Sequence, residues 1–191
     1  MNREEIATFF DKHAKNWDDE TICDYRKIET IFNFANIKEN IDVLDVGCGT
    51  GVLFDYYLKK KVRSIKAIDI SEEMIKVAKS KYFNSNINLE CVDAYKFNAG
   101  KYDAIMMYDC FPHFDDQEQI IKHLSTLLKE EGFLTVAHSM SIKRLKKHHE
   151  NIENISLDPI HEDELEKIMN KYGTVTTKIS NEDMFVVTMK K

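Results

Sequence analysis

The amino-acid sequence predicts an α/β fold built on a largely parallel sheet, and three observations carry the prediction. The stretch Ile41-Asp-Val-Leu-Asp-Val-Gly-Cys-Gly-Thr-Gly51 reads as a short strand buried on both faces that runs into a glycine loop. Strand-like aliphatic runs then alternate with helical patterns as far as Ala137, an order that demands parallel strands joined by right-handed crossovers. At the C-terminus two β-branched runs, Thr174 to Ile179 and Met184 to Met189, flank Ser180-Asn-Glu-Asp183 and predict an antiparallel hairpin.

Taken in order, residues 2–36 are helical in pattern. Ile6, Phe9 and Phe10 form one apolar stripe and Ile28, Ile31, Phe32 and Phe34 a second, with a polar stretch around Trp17 between them. This predicts a cap of two helices ahead of the sheet, over residues 1–38, with Trp17 either a packing anchor or a cover over a ligand. After the glycine loop, Leu53, Phe54, Tyr57 and Leu58 predict a helix that opens on it. Ser64 to Ile70 is the second strand, and Ser71 N-caps a helix whose buried face is Met74, Ile75 and Ala78. Asn86 to Val92 and Tyr102 to Tyr108 are the third and fourth strands. A helix with Ile120, Ile121, Leu124, Leu127 and Leu128 follows, and Glu131-Gly132 turns into a fifth strand, Phe133 to Ala137. Ser141 to Asn154 is basic with a helical pattern. A last helix is expected from Asp158, with Pro159 in its first turn and Gly173 at its end.

The chain of 191 residues fits a single domain over 1–191, with 39–191 as the core under the cap, and 43% hydrophobic and 31% charged residues are ordinary for a globular protein. No apolar run reaches the roughly 18 residues of a membrane span, and Met-Asn-Arg-Glu-Glu lacks the apolar core of a signal peptide, so a cytoplasmic protein is expected. Cys23, Cys48, Cys91 and Cys110 are scattered, without a Cys-x-x-Cys pair, which argues against a disulfide framework or a structural zinc site. The net charge of −6 argues against nucleic acid as a general partner, although Lys143, Arg144, Lys146, Lys147, His148 and His149 form a local basic cluster. No repeat is present, and the sequence carries no signal for an oligomeric state.

A strand, a glycine loop and the opening of a helix make a nucleotide-sized pocket. Asp45 puts a carboxylate at the end of the first strand. Asp69 ends the second strand 18 residues beyond Gly51, where nucleoside-binding folds place the carboxylate that accepts from ribose hydroxyls; a bare helix-capping role is its alternative. Asp93-Ala94 closes the third strand.

These pieces together, Asp45-Val-Gly-Cys-Gly-Thr-Gly51, Asp69-Ile-Ser71, Asp93-Ala94, the Tyr102-Asp-Ala strand and Leu128-Lys-Glu-Glu-Gly-Phe-Leu134, resemble the class I S-adenosylmethionine-dependent methyltransferases from about Phe9 to the C-terminus. The spacing Gly47-x-Gly49-x-Gly51 departs from the Gly-x-Gly-x-x-Gly of NAD-binding loops. The resemblance implies a three-layer Rossmann-like sheet of seven strands ordered 3-2-1-4-5-7-6, with the last strand antiparallel. It implies that Asp45 and the backbone of Gly47, Cys48, Gly49 and Gly51 meet the amino-acid end of S-adenosylmethionine. Asp69 would hold the ribose, Ile70 and Met74 would flank the adenine, and Asp93 would accept its amino group, with Ala94 supplying an amide. Tyr108 would line the methionine portion by its backbone. The segment Phe10-Asp-Lys-His-Ala-Lys-Asn-Trp17-Asp is similar to the cap of ubiquinone-biosynthesis-type methyltransferases, which implies that Trp17 closes over the cofactor.

Methyl transfer from a sulfonium is an in-line displacement that needs a positioned nucleophile and exclusion of water. The Asp/Asn-Pro-Pro-Tyr/Phe signature of amine-methylating enzymes in this family is replaced here by Tyr108-Asp-Cys-Phe-Pro-His113-Phe, which disfavours a base amine, and a short cap without an appended nucleic-acid domain leads to the expectation of a small-molecule methyl acceptor. His113 follows the fourth strand and His138 ends the fifth, so the two can converge as a general base, with S-adenosylhomocysteine as the product. A metal site from His113, His138 and one of His148 and His149, with Asp109, is the second reading of the same residues. Three further functions stay open: an RNA or protein methyltransferase using the basic cluster, a non-catalytic S-adenosylmethionine-binding module, and an NAD-dependent oxidoreductase.

Overall fold

The structure, a computed structural model, describes residues 2–20, 24–84, 86–149 and 155–191. Seven strands form one sheet in the order β3-β2-β1-β4-β5-β7-β6: β1 (Asp42–Val46), β2 (Ser64–Asp69), β3 (Ile87–Cys91), β4 (Tyr102–Tyr108), β5 (Leu128–His138), β6 (Thr174–Ser180) and β7 (Phe185–Lys190). The first five run parallel, and β7 lies antiparallel between β5 and β6. Chain direction across the sheet reverses between β1, whose successor β2 lies on one side, and β4 on the other, which opens a crevice at the carboxyl ends of these strands.

The central strands are apolar on both faces because helices cover both. Leu44, Val46, Ile105, Met107, Leu134 and Val136 pack on one side with Ile120, Ile121 and Leu124 of α6 (Gln117–Thr126) and Leu165 and Met169 of α8 (Glu162–Met169). Val43, Ile65, Ala67, Ala104 and Met106 pack on the other with α3 (Tyr25–Phe34), α4 (Phe54–Lys59) and α5 (Glu72–Lys81). Ser71 caps α5 as its sequence predicts, accepting from the Met74 amide at 3.1 Å.

Three elements differ from the sequence expectation. The cap holds three helices rather than two, α1 (Arg3–His13), the short α2 (Trp17–Glu20) and α3, because the polar stretch around Trp17 folds into a turn of its own. The fifth strand begins at Leu128, five residues early: Glu131 takes a left-handed φ of 64°, and residues 129–132 bulge between the Tyr102–Leu128 and Ala104–Phe133 pairs. The last helix begins at Glu162 rather than near Pro159, since His161 is extended and its Nδ1 accepts from the Asp163 amide as an N-cap. The basic segment is helical over α7 (Ile142–His149), with residues 150–154 of that expectation outside the described residues.

Candidate cofactor and acceptor site

A cavity of about 960 Å³, measured out to its open mouth, occupies the crevice. Its floor is the loop after β1, with Gly47, Cys48 and Gly49; one wall is the ends of β2 and β3, with Asp69, Ile70, Asp93, Ala94 and Tyr95, and the other is the end of β4 and its following turn. Gly47 sits at φ 68°, and a Cβ there would fall 2.8 Å from the Cβ of Cys110, so only glycine lets the β1 loop press against the turn after β4. The roof is α1 and α2. Arg3, Ile6 and Phe10 share one helical face and, with Trp17, line the cavity.

Carboxylates mark the strand ends. Asp69 is 9% exposed; its Oδ2 accepts from the Gly49 amide at 2.8 Å and its Oδ1 from the Ser71 amide at 2.9 Å, while burial raises its pKa. Asp93 Oδ1 accepts from the Tyr95 amide at 3.0 Å; its Oδ2 is buried without a hydrogen bond, facing Arg3 Nε at 3.4 Å. Asp45 lies beneath the loop rather than on the cavity surface. It is 2% exposed, its Oδ2 receives no hydrogen bond, and burial, reinforced by the nearby charge of Asp69, raises its pKa to about 8.

The wall at the end of β4 is formed by Tyr108, Asp109, Cys110, His113 and Phe114, with the Phe114 ring 5.8 Å from that of Tyr95. His113 closes a 3₁₀ turn, Phe111–His113, and its Nδ1 lies 2.8 Å from the Ile155 carbonyl oxygen. A carbonyl only accepts, so in the neutral ring Nδ1 carries the proton and Nε2 keeps the lone pair. The ring of Phe10 meets the His113 ring edge-on at 5.0 Å and that of Trp17 at 5.5 Å, which joins the roof to this wall.

The structure brings most of the sequence-predicted residues into this cavity: Trp17, Gly47, Cys48, Gly49, Asp69, Ile70, Met74, Asp93, Ala94, Tyr108 and His113. Gly51 is not among its lining residues; at φ 91° it turns beneath the Phe54 ring. His138 corrects the expectation of two converging histidines. It pairs in register with Phe185 at the end of β5, is 2% exposed, and points its Nδ1 at Asp109 Oδ1, 3.4 Å away, behind the cavity wall. The expected metal set is not assembled either: no group of three His, Cys, Asp or Glu side chains among the described residues can hold an ion, and the side chains of His148 and His149 lie outside that description. Sequence reasoning missed Arg3, Ile6 and Tyr95. The three-and-four spacing of Arg3, Ile6 and Phe10 was the signal for the roof.

A model of the methyltransferase domain family matches residues 17–178. The chain belongs to the class I S-adenosylmethionine-dependent methyltransferases. Among curated relatives, a malonyl-acyl-carrier-protein O-methyltransferase of Acetivibrio thermocellus is 30% identical over 138 residues, 70% of this chain and 49% of that protein. One from Ilyobacter polytropus is 29% identical over 97% of this chain and 72% of its own length. A ubiquinone biosynthesis O-methyltransferase of Coxiella burnetii is 29% identical over 70% of this chain and 61% of that protein. The chain thus spans about half the length of the first of these relatives. Among solved structures, the N-methyltransferase NodS of Bradyrhizobium japonicum, in complex with S-adenosylhomocysteine, superposes with a TM-score of 0.77 at 14% identity, over 97% of this chain and 98% of that one, and shares the fold.

The residues of this chain fit the family's cofactor. The buried oxygens of Asp45 and Asp93 that receive no hydrogen bond are acceptors in want of donors. An ammonium, a ribose diol and an exocyclic amine are donors.

Proposed function

We propose that this chain transfers a methyl group from S-adenosylmethionine to an oxygen of a small-molecule acceptor, with His113 as general base. The observation that carries the reading is one cavity in which the glycine loop, the Asp69 and Asp93 carboxylates and the His113 ring face a common space. Asp69 and Asp93 would hold the nucleoside, and Asp45 with the Gly47 to Gly51 backbone would receive the amino-acid end. S-adenosylmethionine, when bound, supplies a methyl group on a positively charged sulfur, ready for in-line displacement. Phe10 and Trp17, which line the cavity beside His113, would exclude water from the acceptor end. His113, oriented through its Nδ1 by the Ile155 carbonyl, would take the proton of an acceptor hydroxyl on Nε2 as the oxygen attacks. The O-methyltransferase names of the curated relatives support an oxygen acceptor. A cytoplasmic setting belongs to the same reading. No helix among the described residues is long and apolar enough to cross a membrane.

His113→Ala tests the reading. Turnover with a panel of hydroxyl acceptors, followed as S-adenosylhomocysteine released, is expected to fall about 10²- to 10⁴-fold. The affinity for S-adenosylhomocysteine by calorimetry should change less than about threefold, since the nucleoside carboxylates are untouched. Undiminished turnover would remove the base. Release of no S-adenosylhomocysteine by the unaltered protein with any acceptor would favour a binding module.

A further inference from the structure

Arg3 stands at the adenine end of the cavity, on the first turn of the roof helix, and the assigned chemistry leaves it unused. Its guanidinium carbon lies 4.4 Å from the centre of the Tyr95 ring, its Nε 3.4 Å from the buried Oδ2 of Asp93, and its Nη2 3.5 Å from Asp115 Oδ1. The Tyr95 ring is itself fixed, because its hydroxyl donates to the Asp116 carbonyl at 2.9 Å and accepts from the Asp116 amide at 3.0 Å. Arg3 is the one Lys or Arg side chain lining the cavity among the described residues.

We propose that Arg3 is a positioning residue that couples closure of the α1 roof to recognition of the purine. Its guanidinium bridges the roof to Asp93 and Tyr95, and so fixes the carboxylate that reads the base. The inference rests on the reading of the cavity as the S-adenosylmethionine site. Asp93 Oδ1 is committed to the Tyr95 amide, so Oδ2 is the atom left for an exocyclic amine. A carboxylate free to rotate would lose that preference; one held by the Tyr95 amide on one oxygen and faced by a guanidinium on the other keeps it. The stack of the guanidinium on Tyr95 adds a planar contact that a lysine does not reproduce.

The test uses the full chain and follows the fluorescence of Trp17, the only tryptophan in the sequence and a cavity-lining residue. Binding and release of S-adenosylhomocysteine and of its 6-oxo analogue, S-inosylhomocysteine, are measured by titration and stopped flow, with calorimetry alongside. For Arg3→Ala the dissociation constant for S-adenosylhomocysteine is expected to rise about five- to tenfold, through faster release. The preference for the adenosyl over the inosyl ligand should fall about threefold or more. Arg3→Lys should recover part of the affinity and less of the preference. Asp115→Asn, which frees one anchor and leaves the cavity lining intact, should speed release about twofold. If Arg3→Ala does not fold, the Lys and Asn variants decide by the same two quantities. Unchanged release and unchanged preference overturn the proposal while the site stands. An equal loss for both ligands also overturns it, because a merely structural arginine would weaken both alike. Failure of the unaltered protein to bind S-adenosylhomocysteine overturns the reading of the cavity, and this inference with it.

Discussion

Asp45 is the residue at which the site works against the fold. A carboxyl with a pKa of about 8 in the folded chain, against an ordinary 3.8, carries its proton in both states at low pH and then contributes nothing to the pH dependence of stability. As the pH rises from 4 towards 8 the unfolded chain ionises freely and the folded one does not, so folding loses stability across that window. Asp45→Asn is therefore expected to raise the melting temperature. The gain should be near zero at pH 4 and largest at pH 8, roughly 5 °C, and the variant should bind S-adenosylhomocysteine more weakly. Calorimetric scans at pH 4, 6 and 8 check it; a gain that shrinks with rising pH contradicts the burial account. A second residue-scale prediction concerns Thr135 and Thr188, which face each other across β5 and β7, fully buried, with hydroxyl oxygens 3.0 Å apart. Thr135→Val strands the hydroxyl of Thr188 and should destabilise by about 1–3 kcal/mol, whereas the double change to Val should be close to neutral. A denaturant double-mutant cycle measures the difference.

At the scale of elements, α3 joins the core through the buried Ile28, Ile31 and Phe32, whereas α1 and α2 are tied to it by polar contacts as well. Asp11 of α1 caps α5 from outside its own chain segment: Oδ1 accepts from Ser71 Oγ at 2.6 Å and from the Glu73 amide at 3.1 Å. Asp18 holds α2 in the same way, accepting from Thr50 Oγ1 and Lys81 Nζ, each at 2.5 Å. Asp11→Ala removes an acceptor from the start of α5 at a cost of about 1 kcal/mol. It should also speed amide exchange throughout α1 while β1, β2 and β4 stay protected, a contrast that hydrogen-exchange mass spectrometry resolves. The same distinction between local and tertiary signals explains which elements were legible in the sequence. The parallel strands were, because strands buried on both faces read as continuous apolar runs, and so was Ser71, because capping is a local contact. The early start of β5 was not: Leu128 carries the helical pattern of Leu124 one turn further, and only pairing with Tyr102 turns it into a strand. The site divides likewise. Glycines and strand-end carboxylates announced the cofactor end through their spacing, whereas the inward or outward direction of His138 is set by its register with Phe185, a partner 47 positions away in the chain.

On the scale of the whole molecule, the crevice selects its ligand by charge as well as by shape. Among the described residues, Asp69, Asp93 and Asp109 line it against a single guanidinium, that of Arg3. A dianionic pyrophosphate entering between these carboxylates meets repulsion, while a sulfonium and an ammonium meet attraction. NAD is thus disfavoured where S-adenosylmethionine is favoured, although both suit a glycine loop at a sheet's switch point. The ligand would touch the β1 loop, the ends of β2 and β3, the turn after β4 and the α1 roof at once, none of which holds this geometry in the unfolded chain. Binding should therefore stabilise the fold as a unit. At a hundred times its dissociation constant, S-adenosylhomocysteine is expected to add about 2.7 kcal/mol, which for a chain of this size is a rise of roughly 5–10 °C in melting temperature. NAD at the same concentration should give no rise. A thermal shift with NAD and none with S-adenosylhomocysteine would reverse the assignment, since it would mean that the carboxylates do not govern what the crevice admits.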